Sequence, residues 1–421
     1  MSVDGKSIVA KIFLCLKTRY NLPCNISYPQ TQIGASKETE KSKQYKIKYQ
    51  KNENENIFLG GGYTNHLYEL ACSMSSIGYE VIIVLFDDMV KRNERIPTDV
   101  SSDVSFVTCK DCMSDFKSIA SQASKHESLH INSALKNSHD AAHHSLKWLL
   151  KNGYDVFSLP QESFQLQGWK GKLNCLKWFY YLNFTFRRKI KAFGVTGLRA
   201  YNHLRMMNVK RQRLFQFMYV TKDVSADLGR NSGNCKRFIF VGAIDRRKNI
   251  IPFVDFMKQY PNQNFEFDIY GSWNLDAQLS EIVKDSSNIR YHGKKDYDTV
   301  RKSMFSANYL VLPSLYDGWG AVGNEGLQAG CKLLLSEECG CSIFVKCHTN
   351  LGYLFTTKDK TNKSLKKAVD SIFDENLDKS QYENISKWAK SHISPNAVAE
   401  YLDLIIQHYF NNCPKPKAPW T

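Results

Sequence analysis

Two carboxylates, Asp317 and Glu325, stand eight positions apart in the segment PSLYDGWGAVGNEGLQAGCKLLLSEECG, residues 313–340. An apolar run ends at Pro313, and Gly318 and Gly320 follow the first acid, where missing Cβ atoms let backbone amides approach a ligand. A helix starting near Asn324 would aim its N-terminal dipole at the same spot. Acids that accept from hydroxyls, beside amides that donate to anions, suit a ligand carrying both hydroxyls and phosphates. The plainer alternative is an ordinary strand–loop–helix turn with Asp317 as its cap.

Those residues need elements to hold them. RFIFVGA (237–243), FEFDIYG (265–271), NIRYHG (288–293), YLVLPS (309–314) and CKLLLSE (331–337) read as strands, the last closing the series. Helical spacing fills the gaps, with Ile251, Phe253, Val254 and Met257 in one helix and another over 296–307. Strands alternating with helices predict a parallel, doubly wound sheet. The first half carries the same signal in IFLGGGYTNHLYELACSMSSIGYEVIIVLFDD (57–88): a glycine triplet, Leu67, Leu70, Ala71 and Met74 at helical spacing, then the apolar run 81–86. Before it, 7–16 reads as a first strand, with a short extra one at 45–49 and the choice of central strand open. Residues 110–150 read as polar and helical at best, with His139, His143 and His144 on a solvated face. A linker falls near 218–236. An amphipathic stretch, 397–410, reads as a terminal helix, and KPKAPWT as a loose tail.

Composition narrows the classes. At 421 residues, two domains are expected. No apolar run approaches the roughly 18 residues of a membrane span, and 7–16 contains Lys11 and lacks a cleavage site, so the chain reads as soluble and unsecreted. Its twelve cysteines then read as thiols. Neither the Cys109–Cys112 pair nor the group Cys339, Cys341, Cys347 and His348 supplies two well-spaced ligand pairs. Asp87-Asp88 ends a buried strand without a metal-like partner, and no metal site is expected.

Charge is uneven. Residues 1–220 hold 31 basic and 18 acidic side chains, against 26 and 23 in 221–421, out of a net +16. Between Glu162 and Asp223 there is no acid, while WFYYLNFTF (178–186) lies among cations such as Lys170, Lys172, Lys177, Arg187 and Arg188. Aromatics beside cations favour an anionic bilayer surface. Single-stranded nucleic acid suits the same pattern, as does burial of the aromatics as core.

The 313–340 segment resembles the signature of GT-B retaining glycosyltransferases of the group 1 (family 4) class, a Glu-x7-Glu pattern inside PSxxEGxGxxxxEAxAxG. Asp317 stands for the first Glu and Glu325 for the second. The likeness covers 237–410 well and 57–86 moderately. VGAIDRRKN (241–249) is similar to the family's GRxxxxKG segment, with Lys248 matching its lysine and Ala243 replacing its arginine; Arg246 or Arg247 would supply that charge. Gly61 and Gly62 match the N-terminal glycine loop.

The resemblance implies two Rossmann-like, doubly wound domains facing across a cleft (GT-B). Residues 1–220 would bind the acceptor and 221–396 the donor; 397–421 would add a helix packing back across the hinge, and the loose tail. It implies a metal-independent hexosyltransferase moving sugar from a nucleoside-diphosphate sugar to a glycan acceptor, lipid-linked, as in polysaccharide or lipopolysaccharide assembly. No cofactor is implied. Asp317 would be catalytic. Gly61, Gly62, Arg247, Lys248, Gly318, Trp319, Gly320 and Glu325 would bind the donor, Glu325 through the ribose hydroxyls. The expected location is cytoplasmic, peripheral on the inner membrane face. Two alternatives stand beside it. A dinucleotide-dependent oxidoreductase would use Gly60, Gly61 and Gly62 with Asp87, but Asn65 replaces the third fingerprint glycine. A basic nucleic-acid-binding protein has no recognised motif here, and no nucleic-acid partner is expected.

Overall fold

The computed structural model describes residues 13–17, 63–86, 104–109, 112–122, 125, 128–133, 135, 141–164, 166, 168–186, 189–223, 235–262, 264–359, 361–376 and 378–421. Gly61, Gly62, Asp87, Asp88 and the 45–49 segment lie outside them.

The second half forms a six-stranded sheet from β8 (Lys236–Val241), β9 (Phe265–Tyr270), β10 (Ile289–Gly293), β11 (Tyr309–Leu312), β12 (Lys332–Ser336) and β13 (Gly352–Phe355). Its order is β10-β9-β8-β11-β12-β13, and every pair is parallel. β11 and β12 are nearly continuous apolar runs because both faces of a parallel sheet are covered by helices. The series closes on β13, not on 331–337. GYLF is short, and half of it is only partly buried, so its apolar pattern is weak beside those of β11 and β12.

The first half forms a seven-stranded sheet: β1 (Phe13–Lys17), β2 (Glu80–Phe86), β3 (Val104–Cys109), β4 (Ser128–Asn132), β5 (Asp155–Gln161), β6 (Ala192–Thr196) and β7 (Leu214–Phe217), in the order β3-β2-β1-β4-β5-β6-β7. β1 takes an interior position, third in the order and next to the central β4, but runs antiparallel to both β2 and β4. An apolar run reads the same in either direction, so periodicity cannot set its polarity. β4 lies within the 110–150 stretch read as polar and helical. Ser128, His130 and Asn132 are fully buried there, and the Asn132 carbonyl accepts from the Ser158 hydroxyl at 2.9 Å. Burial of polar side chains removed the strand's hydrophobic signature. His143 is likewise buried, its ring 6.0 Å from that of Phe186, rather than solvated.

The two halves share a core. Asp378 and Gln381 form a capping box on the helix Lys379–Ile393, and Ser394 with Pro395 starts the next, Pro395–Phe410. That last helix lays Tyr409 and Phe410 on Phe157, at 5.4 and 6.3 Å, and Tyr401 on Phe217 at 6.5 Å. The chain after it is not a loose tail. Lys415 donates to the Arg211 and Leu214 carbonyls at 2.6 and 2.8 Å, and Trp420 is fully buried against Tyr401. One lysine stem and one indole outweigh the polar composition of the segment.

Candidate active site

β8 lies between β9 and β11, so the chain leaves the sheet on opposite sides after these two adjacent strands. That reversal opens a crevice at their carboxyl ends, where ligands of such sheets bind. The two segments singled out in the sequence are the loops at those ends: 242–249 after β8, and 313–321 after β11.

The loops are knitted together. The Leu315 amide donates to the Arg247 carbonyl at 2.9 Å, and the Asn249 amide side chain donates to the Pro313 carbonyl at 3.1 Å. Asp245 folds its own loop by accepting from the Lys248 amide at 2.7 Å. The Lys248 ammonium is thereby held against the Asp317 carboxylate in an ion pair that is 11% exposed on each side. Arg247 flanks it, its guanidinium 3.9 Å from Asp317 and donating to the Tyr316 carbonyl at 3.3 Å. Of the two arginines offered for the charge missing at Ala243, Arg247 is the one that lies beside Asp317. Arg246 has no ion pair to Asp317 of the kind Arg247 makes.

Asp317 is braced from below as well. Its amide donates to the Glu338 carbonyl at 3.3 Å, and its carbonyl accepts from the Gly340 amide at 3.1 Å. Gly320 turns the chain at φ +87°, a conformation that favours glycine. The Trp319 indole is turned inward: it is 1% exposed, donates to Asn324 at 3.0 Å and meets Phe344 edge-on. The Trp319 side chain therefore packs as core and offers no surface to a ligand. Cys339 and Cys341 lie buried beneath, and burial pushes the Cys339 thiol up to about 12. They pack the floor of the loop as protonated thiols.

Glu325 follows in the first turn of Val322–Gln328. Burial pushes its carboxyl up to about 7, against the opposing pull of Arg301. The helix is only seven residues long, so its dipole adds less than the sequence suggested.

Residues of the first half complete the crevice, and the sequence reading missed them. Glu162, just past β5, accepts from the Tyr219 hydroxyl at 2.8 Å and lies against Gly318, where any Cβ would sit 2.5 Å from its carboxyl carbon. Ser163 meets the Tyr316 hydroxyl at 2.9 Å; Arg199 pairs with Glu338 at 3.0 Å and lies over the Tyr316 ring. Gly197, at φ +74°, packs backbone to backbone on Gly340, and the Asn324 amide donates to the Tyr219 carbonyl at 2.8 Å. The one available signal was that Glu162 is the last acid before the acid-free tract.

The tract's aromatics split by face. Trp178, Leu182 and Phe186 are buried, so Trp178 is core and not an anchor. Trp169, Leu173, Leu176, Tyr180 and Phe184 face solvent, between 56% and 69% exposed, along the helix Gly168–Tyr180 and the turn after it.

Residues 227–392 match the family model for glycosyl transferases group 1. An uncharacterized glycosyltransferase of Methanocaldococcus jannaschii, MJ1178, is 26% identical over 185 residues, 44% of this chain and 50% of that protein. A second from the same organism, MJ1607, is 27% identical over 119 residues, 27% of this chain and 30% of its own. The matches thus span half the length of the first curated relative and less than a third of the second. Among solved structures, Anabaena HepE in complex with UDP is 12% identical with a TM-score of 0.58, covering 81% of this chain and 96% of that one. The apo lipopolysaccharide outer core galactosyltransferase WaaB is 11% identical at 0.56, covering 76% and 88%. These likenesses show the fold, which is GT-B.

Proposed function

We propose that this GT-B chain, matched over residues 227–392 by group 1 glycosyl transferases, is a retaining, metal-independent glycosyltransferase of hexosyl type. It moves a sugar from a nucleoside-diphosphate donor to a lipid-linked glycan acceptor. The observation that carries the reading is the Arg247–Lys248–Asp317 constellation at the β8/β11 crevice. Departure of a nucleoside diphosphate develops negative charge, and fixed cations in a sheltered cleft stabilise it. An ammonium has three N–H donors, so Lys248 can hold Asp317 and still meet a phosphate oxygen. Asp317 lies beside the transferred sugar and supports positive charge as the glycosidic bond breaks. A panel of UDP-, GDP- and ADP-sugars, followed by product nucleotide, tests the reading. HepE was solved with UDP, so UDP-sugars lead the panel. Slow hydrolysis of one donor class is expected; no turnover and no binding of any would overturn it.

Peripheral docking on the cytoplasmic face of a membrane belongs to the same proposal. Among the described residues no helix is long and apolar enough to cross a bilayer. The solvent-facing stripe from Trp169 to Phe184 recurs every three or four residues, flanked by exposed Lys170, Lys172 and Lys177. An apolar stripe with a cationic border matches an anionic lipid interface. Each lysine near that surface contributes about 1 kcal/mol, within a Debye length of about 8 Å at physiological salt. Co-sedimentation with anionic vesicles should fall at high salt and fall again for Trp169→Ser with Leu176→Ser. Equal binding to neutral and anionic vesicles, or none at low salt, would leave a soluble acceptor as the better reading.

A further inference from the structure

Arg301 is only 6% exposed, yet most of its hydrogen-bonding capacity is unused. It lies on the helix Tyr297–Ser306, between the rings of Tyr297 and Phe305 at 5.6 and 5.7 Å. One terminal nitrogen donates to the Tyr297 hydroxyl at 2.6 Å. Nε and the other terminal nitrogen are buried with no acceptor. Leaving such N–H groups unmet in a low-dielectric site is costly, and native structures rarely do so without a purpose.

The neighbourhood says what should meet them. Arg301 acts electrostatically on Glu325, but no ion pair forms within 4 Å among the described residues. Tyr297, 48% exposed, feels both Glu325 and Glu69, which belongs to the helix Tyr63–Ser76 of the first half. The pair therefore opens toward the interface between the two halves. A guanidinium can only donate, and an ionised carboxylate can only accept. Glu325 repels an anion whenever it is ionised, and Arg301 repels a cation. A neutral group offering O–H donors and oxygen lone pairs on adjacent atoms satisfies both at once, and a vicinal diol is that group.

We infer that Arg301 is a donor-binding residue which, paired with Glu325, recognises the ribose diol of the nucleotide. The inference rests on the glycosyltransferase reading and adds to it a group on a different element from the 313–328 segment. Arg301 donates through Nε and the free terminal nitrogen to the ribose 2′-oxygen, while Glu325 accepts from the neighbouring hydroxyl. Lysine at this position would keep the charge but lose the planar pair of N–H donors that converge on that oxygen.

Calorimetric titration of UDP, GDP and ADP, each against its 2′-deoxy counterpart, tests the inference on wild type, Arg301→Met and Arg301→Lys. For whichever nucleotide wild type binds, the ribo form should bind about tenfold or more tighter than the deoxy form, the scale of one charge-assisted hydrogen bond. Arg301→Met should bring the ribo form down to the deoxy affinity and leave the deoxy affinity unchanged. Arg301→Lys, which keeps the charge and guards against a methionine variant that fails to fold, should fall between. A merely structural arginine would weaken both forms alike, so an unchanged ribo-to-deoxy ratio in both variants overturns the inference. Collapse of discrimination between bases with that ratio intact would assign Arg301 to the nucleobase instead, and also overturns it. Wild type binding none of the three nucleotides would sink the glycosyltransferase reading itself, an outcome readily told apart from the others.

Discussion

Replacing Asp317 with Asn should lower sugar transfer by about 10²–10³-fold, the usual scale for removing one fixed electrostatic group from a reacting centre. The amide has the size of the carboxylate, so the fold of the loop should survive. What changes is charge: Lys248 loses the anion that positions it, in a pair only 11% exposed on either side. Hydrogen bonds to charged groups contribute about 1.5–3 kcal/mol, so some stability should go as well. Lys248→Met should be worse for stability, because it leaves Asp317 buried beside only the longer Arg247 contact at 3.9 Å. Breaking one side of a buried pair costs about 3–5 kcal/mol. The double variant should recover stability relative to Lys248→Met but none of the transfer. Thermal melting together with product release from the preferred donor reads both effects. Transfer within tenfold of wild type in Asp317→Asn would remove the residue from the chemistry.

Trp319→Ala should destabilise the protein by about 3–5 kcal/mol, the range for truncating a fully buried aromatic. The indole is 1% exposed and packs edge-on to Phe344 at 5.3 Å. Its N–H also satisfies Asn324, whose amide in turn donates to the Tyr219 carbonyl at the end of the first half. Loss of the indole therefore loosens both the glycine loop and a tie between the halves. Trp319→Phe separates the two roles. It keeps most of the packing but leaves the buried Asn324 oxygen unmet, at about 1–3 kcal/mol. Chemical denaturation of both variants gives the difference, and donor affinity should fall in both because Gly318 and Gly320 flank the site. A Trp319→Ala protein as stable as wild type would show that the loop is held by its backbone bonds alone.

The glycine-flanked acid, the strand before it and the lysine of 241–249 were legible because each depends on neighbours in sequence. A Gly-rich turn after a buried apolar run is a local feature. Two such turns after strands that prove adjacent at the crossover already imply a crevice. Where local pattern was weak, the reading failed: β4 hides its hydrophobic signature under Ser128, His130 and Asn132, and β13 is too short to declare itself. Trp178 and Phe179 are consecutive aromatics, yet one is buried and the other 37% exposed, a difference that depends on which helix face meets the sheet.

The sequence by itself determined that the chain alternates strand and helix, where its glycine loops stand, and which acids and cations flank them. Those properties follow from residue type and short spacing. Only the tertiary structure decided the rest. Strand direction at β1, the burial of Trp420 and the placement of Arg247 beside Asp317 are outcomes of long-range packing. So are the placement of Glu162 on Gly318 and of Arg301 near Glu325. These contacts join residues up to about 156 positions apart, and a side chain's partner across such a separation is set by how two sheets meet, which no local pattern encodes.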